Sequence, residues 1–320
     1  MKKPGHKKPS GELSLIRHFR AHAPTHPWLK VGPGHDCAVL EWPGNRDVAF
    51  KIDQVVEGTH FLLSGPEAAT PYQVGWKAMA KACSDIAATG FWPVAATVAV
   101  NLKKGSPDTI PRELYRGLVA CCDRFGFGLA GGDISASDNG LSVVVSLLGE
   151  GPKNGAWLRS GAKPGDLLFV TGALGGSRAK RHLNFIPRLE EARMIRSILP
   201  SGVHACIDIT DGLSRDLRHI CEESGTGAIL FEDKIPCSKE IIKAYTKRKS
   251  PIEHALEDGE DFELLMAIAP RAARKLHAQC ELKVPLTQIG FVEAGTSGYN
   301  LVDSRGVRRP LPDVGFEHQA

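Results

Sequence analysis

Aspartate returns to the ends of apolar runs throughout this chain, and that placement constrains its fold more than any other feature. Asp36 follows the turn Gly32-Pro33-Gly34, Asp53 ends the strand-like run VAFKID, Asp133 follows Gly131-Gly132, and Asp208 and Asp211 lie in CIDITDG. Asp85 adds a sixth near the end of a stretch with helical periodicity. For any one of them a turn or helix-cap role is the plain alternative, because Asp beside Gly is what turns and N-caps use. Asp211 in particular would cap a helix beginning at Gly212. Six carboxylates gathered at strand ends repel one another unless cations neutralise them. Hard oxygen ligands of this kind suit Mg²⁺, which keeps several waters and bridges to phosphate oxygens.

Between the aspartates, strand-like and helical patterns alternate. Trp76, Met79, Ala80, Cys83, Ile86 and Ala87 recur at three- and four-residue steps and predict a buried helix over 72–88, closed by Gly90. Strands are expected at 37–40, 48–53, 95–102, 128–131 and 141–148, with a helix over 111–125. Glycines and Pro152 punctuate the chain near residue 150, and a second series follows: strands at 167–171, 204–207, 228–231, 262–268 and 287–292, two helices after the first of these, and a helix over 212–224. A length of 320 residues suits two domains with real cores. The expected class is α+β (mixed α/β). A tail at 1–10 leads through an amphipathic helix carrying Leu13, Ile16 and Phe19 into an N-terminal domain at 11–150, and a C-terminal domain occupies 151–320.

Forty Lys+Arg against 36 Asp+Glu leave a net charge of +4, part of it in MKKPGHKK at the start, which is no nucleic-acid footprint. No apolar run approaches the roughly 18 residues of a membrane helix, and the N-terminus lacks a signal-peptide core. The expected setting is the cytoplasm, with no membrane and no nucleic acid among the partners. The eight cysteines form no CxxC pair and read as reduced core thiols. There is no GxxxxGK[ST], no strand-to-helix GxGxxG, and no HRD or DFG, which disfavours a dinucleotide oxidoreductase and leaves any phosphates to metal bridges and glycine-loop amides.

In order along the chain, GELSLI (11–16), VEGTHF (56–61), KAMAKACSDIAATG (77–90), GGD (131–133), RSGAKPGD (159–166), IDITDGLSRDL (207–217), GEDFEL (259–264) and GFEH (315–318) resemble the thiamine-monophosphate kinase family of the aminoimidazole-ribonucleotide-synthetase-like superfamily. The resemblance implies an N-terminal mixed sheet with helices that pairs across a homodimer, and a C-terminal α/β sandwich. It also implies the reaction, transfer of the γ-phosphoryl group of ATP to thiamine phosphate, with several Mg²⁺ ions and ATP as co-substrate. By resemblance Asp36, Asp53, Asp85, Asp133, Asp208 and Asp211 hold Mg²⁺. Gly132, Asp133, Arg159 and Thr210 contact ATP, and His60, Glu260 and Phe316 contact the acceptor. No acid–base residue is assigned, since a phosphate acceptor is already anionic and needs positioning and neutralisation. Taken singly, His60 reads equally as a loop histidine, Glu260 as a solvated charge, Arg159 as the partner of a surface carboxylate and Phe316 as core.

Three motifs depart from the family pattern, at four positions. His35 stands at the first aspartate of a usual GxGDD, Lys51-Ile52 at a usual hydroxyl pair before Asp53, and Asp258 at the first glycine of a usual GGED. Lys51 either stands in for the charge of one metal or turns away from it. The departures leave two alternatives: a divergent ATP-dependent enzyme of the superfamily acting on another small molecule, and a non-catalytic nucleotide-binding homologue.

Overall fold

The computed structural model describes residues 20–179, 181–243, 249–279, 281–295 and 298–316. The tail at 1–10 and the helix around Leu13, Ile16 and Phe19 lie outside the described residues. Two mixed sheets organise the rest. The first contains β1 (Leu29–Val31), β2 (Ala38–Glu41), β3 (Arg46–Val56), β4 (Trp92–Lys103), β5 (Gly128–Ser137) and β6 (Ser142–Pro152), in the order β1-β2-β3-β6-β4-β5. Only β4 and β5 run parallel, and helix α2 (Thr109–Phe125) makes the crossover between them.

Helix α1 (Pro71–Ala88) covers the inner face of this sheet. It starts with a capping box, Thr70 accepting from the Gln73 amide while the Gln73 side chain accepts from Thr70. Gly75 and Gly117 let α1 and α2 touch at backbone distance: a Cβ at Gly75 would stand 2.0 Å from the Leu114 carbonyl oxygen. In β3 the strand period of two sets Ala49, Lys51, Asp53 and Val55 inward and leaves Phe50 and Ile52 on the outer face, 46% and 67% exposed.

The second sheet contains β7 (Leu167–Thr171), β8 (Val203–Asp208), β9 (Gly227–Phe231), β10 (Leu264–Ile268), β11 (Leu286–Glu293), β12 (Tyr299–Val302) and β13 (Arg308–Pro310), in the order β13-β12-β9-β11-β7-β10-β8. Helices α3 (Leu189–Ile198) and α7 (Pro270–Gln279) cover one face; α4 (Leu213–Ser224) and α6 (Pro251–Glu257) cover the other, with α5 (Lys239–Lys243) beside α6. Strand β10 shows the arrangement residue by residue. Leu264, Met266 and Ile268 join the core that continues into the first half, whereas Leu265 and Ala267 join a separate core under α4 and α6.

The expected α+β class and its two sheets are present. The second of the two helices expected after β7 is α3, and the first is a single 3₁₀ turn at Arg181–Leu183. Helices α5, α6 and α7 and strands β12 and β13 were not anticipated, although Ser250-Pro251-Ile252-Glu253 is a complete capping box.

Candidate active site

A solvent-open cleft of about 840 Å³ lies where the two halves meet, lined by Asp53, Asp85, Asp208, Thr210 and Asp211 among others. Asp208 ends β8, Thr210 and Asp211 lie in the loop before α4, Asp53 projects from the inner face of β3, and Asp85 comes from the last turn of α1. Carboxylate oxygens of Asp36, Asp85 and Asp208 all lie within 4.8 Å of one another, and all three residues are buried. Burial and then the neighbouring Asp36 charge push Asp208 up to about 6, against the pull of the Ser84 hydroxyl that donates to it at 2.6 Å. Burial, with further push from Asp208 and Asp53, raises Asp85 well above the carboxylate range although Lys51 opposes it. Like charges held this close and dry, one from a strand end, one from a helix and one from the loop before β2, form a donor set of hard oxygens, and a divalent ion fits it.

Cations already flank the cleft. Arg159 donates through Nε and Nη2 to Asp36 at 3.1 and 2.7 Å, a buried partner rather than a surface one. The amide of Arg159 meets His35 Nδ1 at 3.3 Å, so His35 packs beside this pair. Lys51 did not turn away: its ammonium is 2.7 Å from Asp85 and 3.8 Å from Asp53, while Lys81 reaches Asp53 at 2.8 Å. Burial opposes ionisation of Asp53, but Lys51 and then Lys81 outweigh it and hold the carboxyl at about 2. Asp211 is not the helix cap, which falls on Gly212. The loop is instead braced by Asp216, which accepts from the amides of Thr210 and Asp211 at 3.0 and 3.1 Å; its carboxylate, with Asp211 and His219, forms a second close group. Asp216 is not among the residues expected from the sequence to form the site; its signal is an acid in the first turn of a helix that follows an Asp-rich strand end.

A second cleft, about 630 Å³, opens beside the first and shares Thr59, His60, Arg178 and Glu260 with it. Glu260 is no solvated charge. It pairs with the fully buried Lys77 at 2.6 Å and with His182 at 3.1 Å. Burial alone would raise Glu260, yet His182 and Lys77 lower it to about 2, and burial lowers Lys77 to about 8 despite Glu260. Glu260 and Phe262 are held at positive φ, 52° and 53°, behind Gly259 at 69°. Asp258 lies in ordinary right-handed backbone, so no glycine is required there. His60 Nδ1 accepts from the Val56 amide at 3.1 Å and its carbonyl accepts from Lys77 at 2.8 Å. The amide of Phe316 donates to the Asp211 carbonyl at 3.0 Å, and the Arg178 guanidinium lies 4.9 Å over its ring. Lys77, His182 and Arg178 escaped sequence reading because a lysine within an apolar helix and residues of an irregular loop carry no periodic signal.

Gly132 and Asp133 are not in this cleft. Register links Asp53 to Val145, Val145 to Val98 and Val98 to Gly132, so three strand spacings, about 14 Å, separate Asp53 from Gly132. Asp133 pairs with Ala99 one residue on, and therefore takes the opposite, outer face. In one chain Asp133 cannot share an ion with Asp53. Glycine at 132 is also required by packing, since a Cβ there would meet the Val98 carbonyl oxygen at 2.2 Å. Both residues line a largely apolar groove with Val98, Leu114, Tyr115 and Ile134, about 830 Å³ in volume.

This two-sheet architecture matches two family models, AIR synthase related protein, N-terminal domain, over residues 34–150 and the C-terminal domain over 163–302. The chain is 37% identical to the thiamine-monophosphate kinase of Rhodopirellula baltica over 96% of its own length and 97% of that protein's. It is 32% identical to the enzyme of that name from Escherichia coli, with 97% and 98% covered. A solved structure described as AaThiL complexed with AMPPCP and TMP superposes with a TM-score of 0.83 at 28% identity, covering 99% of this chain and all of that one. Escherichia coli HypE, a hydrogenase maturation protein, shares the fold at 22% identity and a TM-score of 0.68. The chain thus belongs to the AIR synthase related proteins and, within them, to the thiamine-monophosphate kinase family.

Proposed function

We propose that this chain transfers the γ-phosphoryl group of ATP to thiamine phosphate, giving thiamine diphosphate and ADP. The observation that carries this reading is the convergence of Asp36, Asp85 and Asp208, from three separate segments, beside a second cleft that holds an ionised glutamate. Asp36, Asp85 and Asp208 would hold Mg²⁺, with Asp211 at the rim and Asp53 beside Lys51 and Lys81. When bound, Mg²⁺ supplies the charge neutralisation that lets one phosphate approach another. Arg159 and Thr210 line the nucleotide side of the cleft and take phosphate oxygens. Glu260, fixed as an anion, faces the permanently cationic thiazolium ring, and His60 closes that pocket. Phe316, with Arg178 over its ring, lines the first cleft and would add an aromatic edge to it. Because the attacking oxygen is already negative, these residues position and neutralise rather than remove a proton.

The same reading makes the chain a homodimer in the cytoplasm. Phe50, Ile52, Val94 and Leu148 are 46%, 67%, 45% and 39% exposed on the first sheet, an apolar surface of the kind that a second copy covers. Asp133, on that outer face, then reaches the ion site of the partner, and the apolar groove beside it takes the purine base of ATP. The described cysteines are free thiols, which suits a reducing compartment.

The test is a purified-protein assay with ATP, Mg²⁺ and thiamine phosphate, in which products are separated and quantified. Thiamine diphosphate and ADP in equal amounts are expected, and Asp53→Ala should lose nearly all turnover. ADP formed with another acceptor, and none with thiamine phosphate, would move the assignment to a different substrate within the family.

A further inference from the structure

Lys51 lies between two carboxylates of the cleft. Its ammonium bridges two carboxylates, 2.7 Å from Asp85 and 3.8 Å from Asp53, on the inner face of β3 with its side chain 21% exposed. Lys81, one turn before Asp85 on α1, holds the other oxygen of Asp53 at 2.8 Å. An ammonium 2.7 Å from a carboxylate oxygen and a divalent ion about 2.1 Å from the same oxygen exclude each other. Charge points the same way. Asp36, Asp53, Asp85 and Asp208 face three cations, Arg159, Lys51 and Lys81, and the two lysines together carry the charge of one divalent ion.

We propose that Lys51 and Lys81 are built-in counter-cations that occupy the place of a divalent ion between Asp53 and Asp85, so that this chain binds one ion fewer per active site than it would with neutral residues there. The inference rests on the kinase reading for the identity of the site, but its geometry is confined to these four side chains. Divalent ions remain at the Asp36, Asp85 and Asp208 end, where Lys51 takes one oxygen of Asp85 and leaves the close carboxylates of Asp36 and Asp208 to an ion.

Mn²⁺ binding to the full chain in the presence of a non-hydrolysable ATP analogue, followed by electron paramagnetic resonance, reads this without turnover. Lys51→Thr should bind one more Mn²⁺ per chain than the wild type, Lys51→Met should do the same, and Lys51→Arg should keep the wild-type number. Mg²⁺ should also raise the melting temperature of Lys51→Thr more than that of the wild type, because its uncovered carboxylates gain an ion. Equal Mn²⁺ numbers in the wild type and in whichever of the Thr and Met variants folds would overturn the proposal. A chain that makes no thiamine diphosphate yet gains an ion on loss of Lys51 would sink the kinase reading and leave this inference standing.

Discussion

Every residue of β10 in the second sheet is buried, whereas β3 in the first alternates the buried Ala49 and Val55 with Phe50 and Ile52, which remain 46% and 67% exposed. Helices cover both faces of the second sheet, and its central strands read as continuous apolar runs. The first sheet has α1 on one face and apolar side chains facing solvent on the other. That difference gives each sheet its task. The second is complete within one chain and serves as a rigid support that presents Asp208, Thr210 and Asp211 at a strand end. The first uses a single strand for two faces, since Lys51 and Asp53 line the cleft while Phe50 and Ile52, their immediate neighbours, form an exposed apolar surface, the one proposed above to meet a second copy.

Substitutions on the two sheets should separate these tasks. Leu265→Ala, in a fully buried strand, should lower stability by about 2–5 kcal/mol, read from chemical unfolding, with little change in the mass of the folded assembly. Ile52→Glu places a charge on the open face and should convert the proposed dimer to monomers while leaving the fold intact, measured on wild type and variant by analytical ultracentrifugation and circular dichroism; a dimeric variant, or a monomeric wild type, would break the comparison. The smallest effect concerns the pocket at the junction. Glu260 titrates at about 2 in the fold against an ordinary 4.5, so its contribution is complete above pH 4.5 and is lost as pH falls toward 2. Lys77, lowered to about 8 from 10.5, works the other way: its burden is full below pH 8 and is relieved as pH rises toward 10.5. Glu260→Gln should therefore flatten the acid side of the pH profile of unfolding free energy, by on the order of 1–3 kcal/mol, read from chemical unfolding between pH 2 and 5.

Much of this was legible in the sequence, for physical reasons that also explain what was not. The period of α1 and the apolar runs of β7, β8 and β10 show themselves because burial on a regular element leaves a regular pattern. Asp36, Asp85 and Asp208 can be grouped from the sequence because like charges that end apolar runs demand a common cation. Asp133 looked equivalent to them, yet one step in register sends it to the other face of the sheet, and register is invisible without the pairing partner. Lys51 was noticed as an intruder, but its companion Lys81 sits in a helix where lysine is unremarkable, and only the folded contact with Asp53 gives it meaning. The ionised state of Glu260 likewise depends on Lys77 and His182, 183 and 78 positions away in the chain.

Mixing two inactive chains tests most directly whether the open sheet face brings the partner's Asp133 into the cleft. Asp208→Asn lacks the inner site but keeps Asp133, and Asp133→Ala has the reverse defect. If the site is shared, random 1:1 dimers should regain about a quarter of wild-type phosphoryl transfer, because half of the dimers are mixed and each of those has one intact site. Mixed dimers confirmed by mass that show no recovery at all would contradict the account.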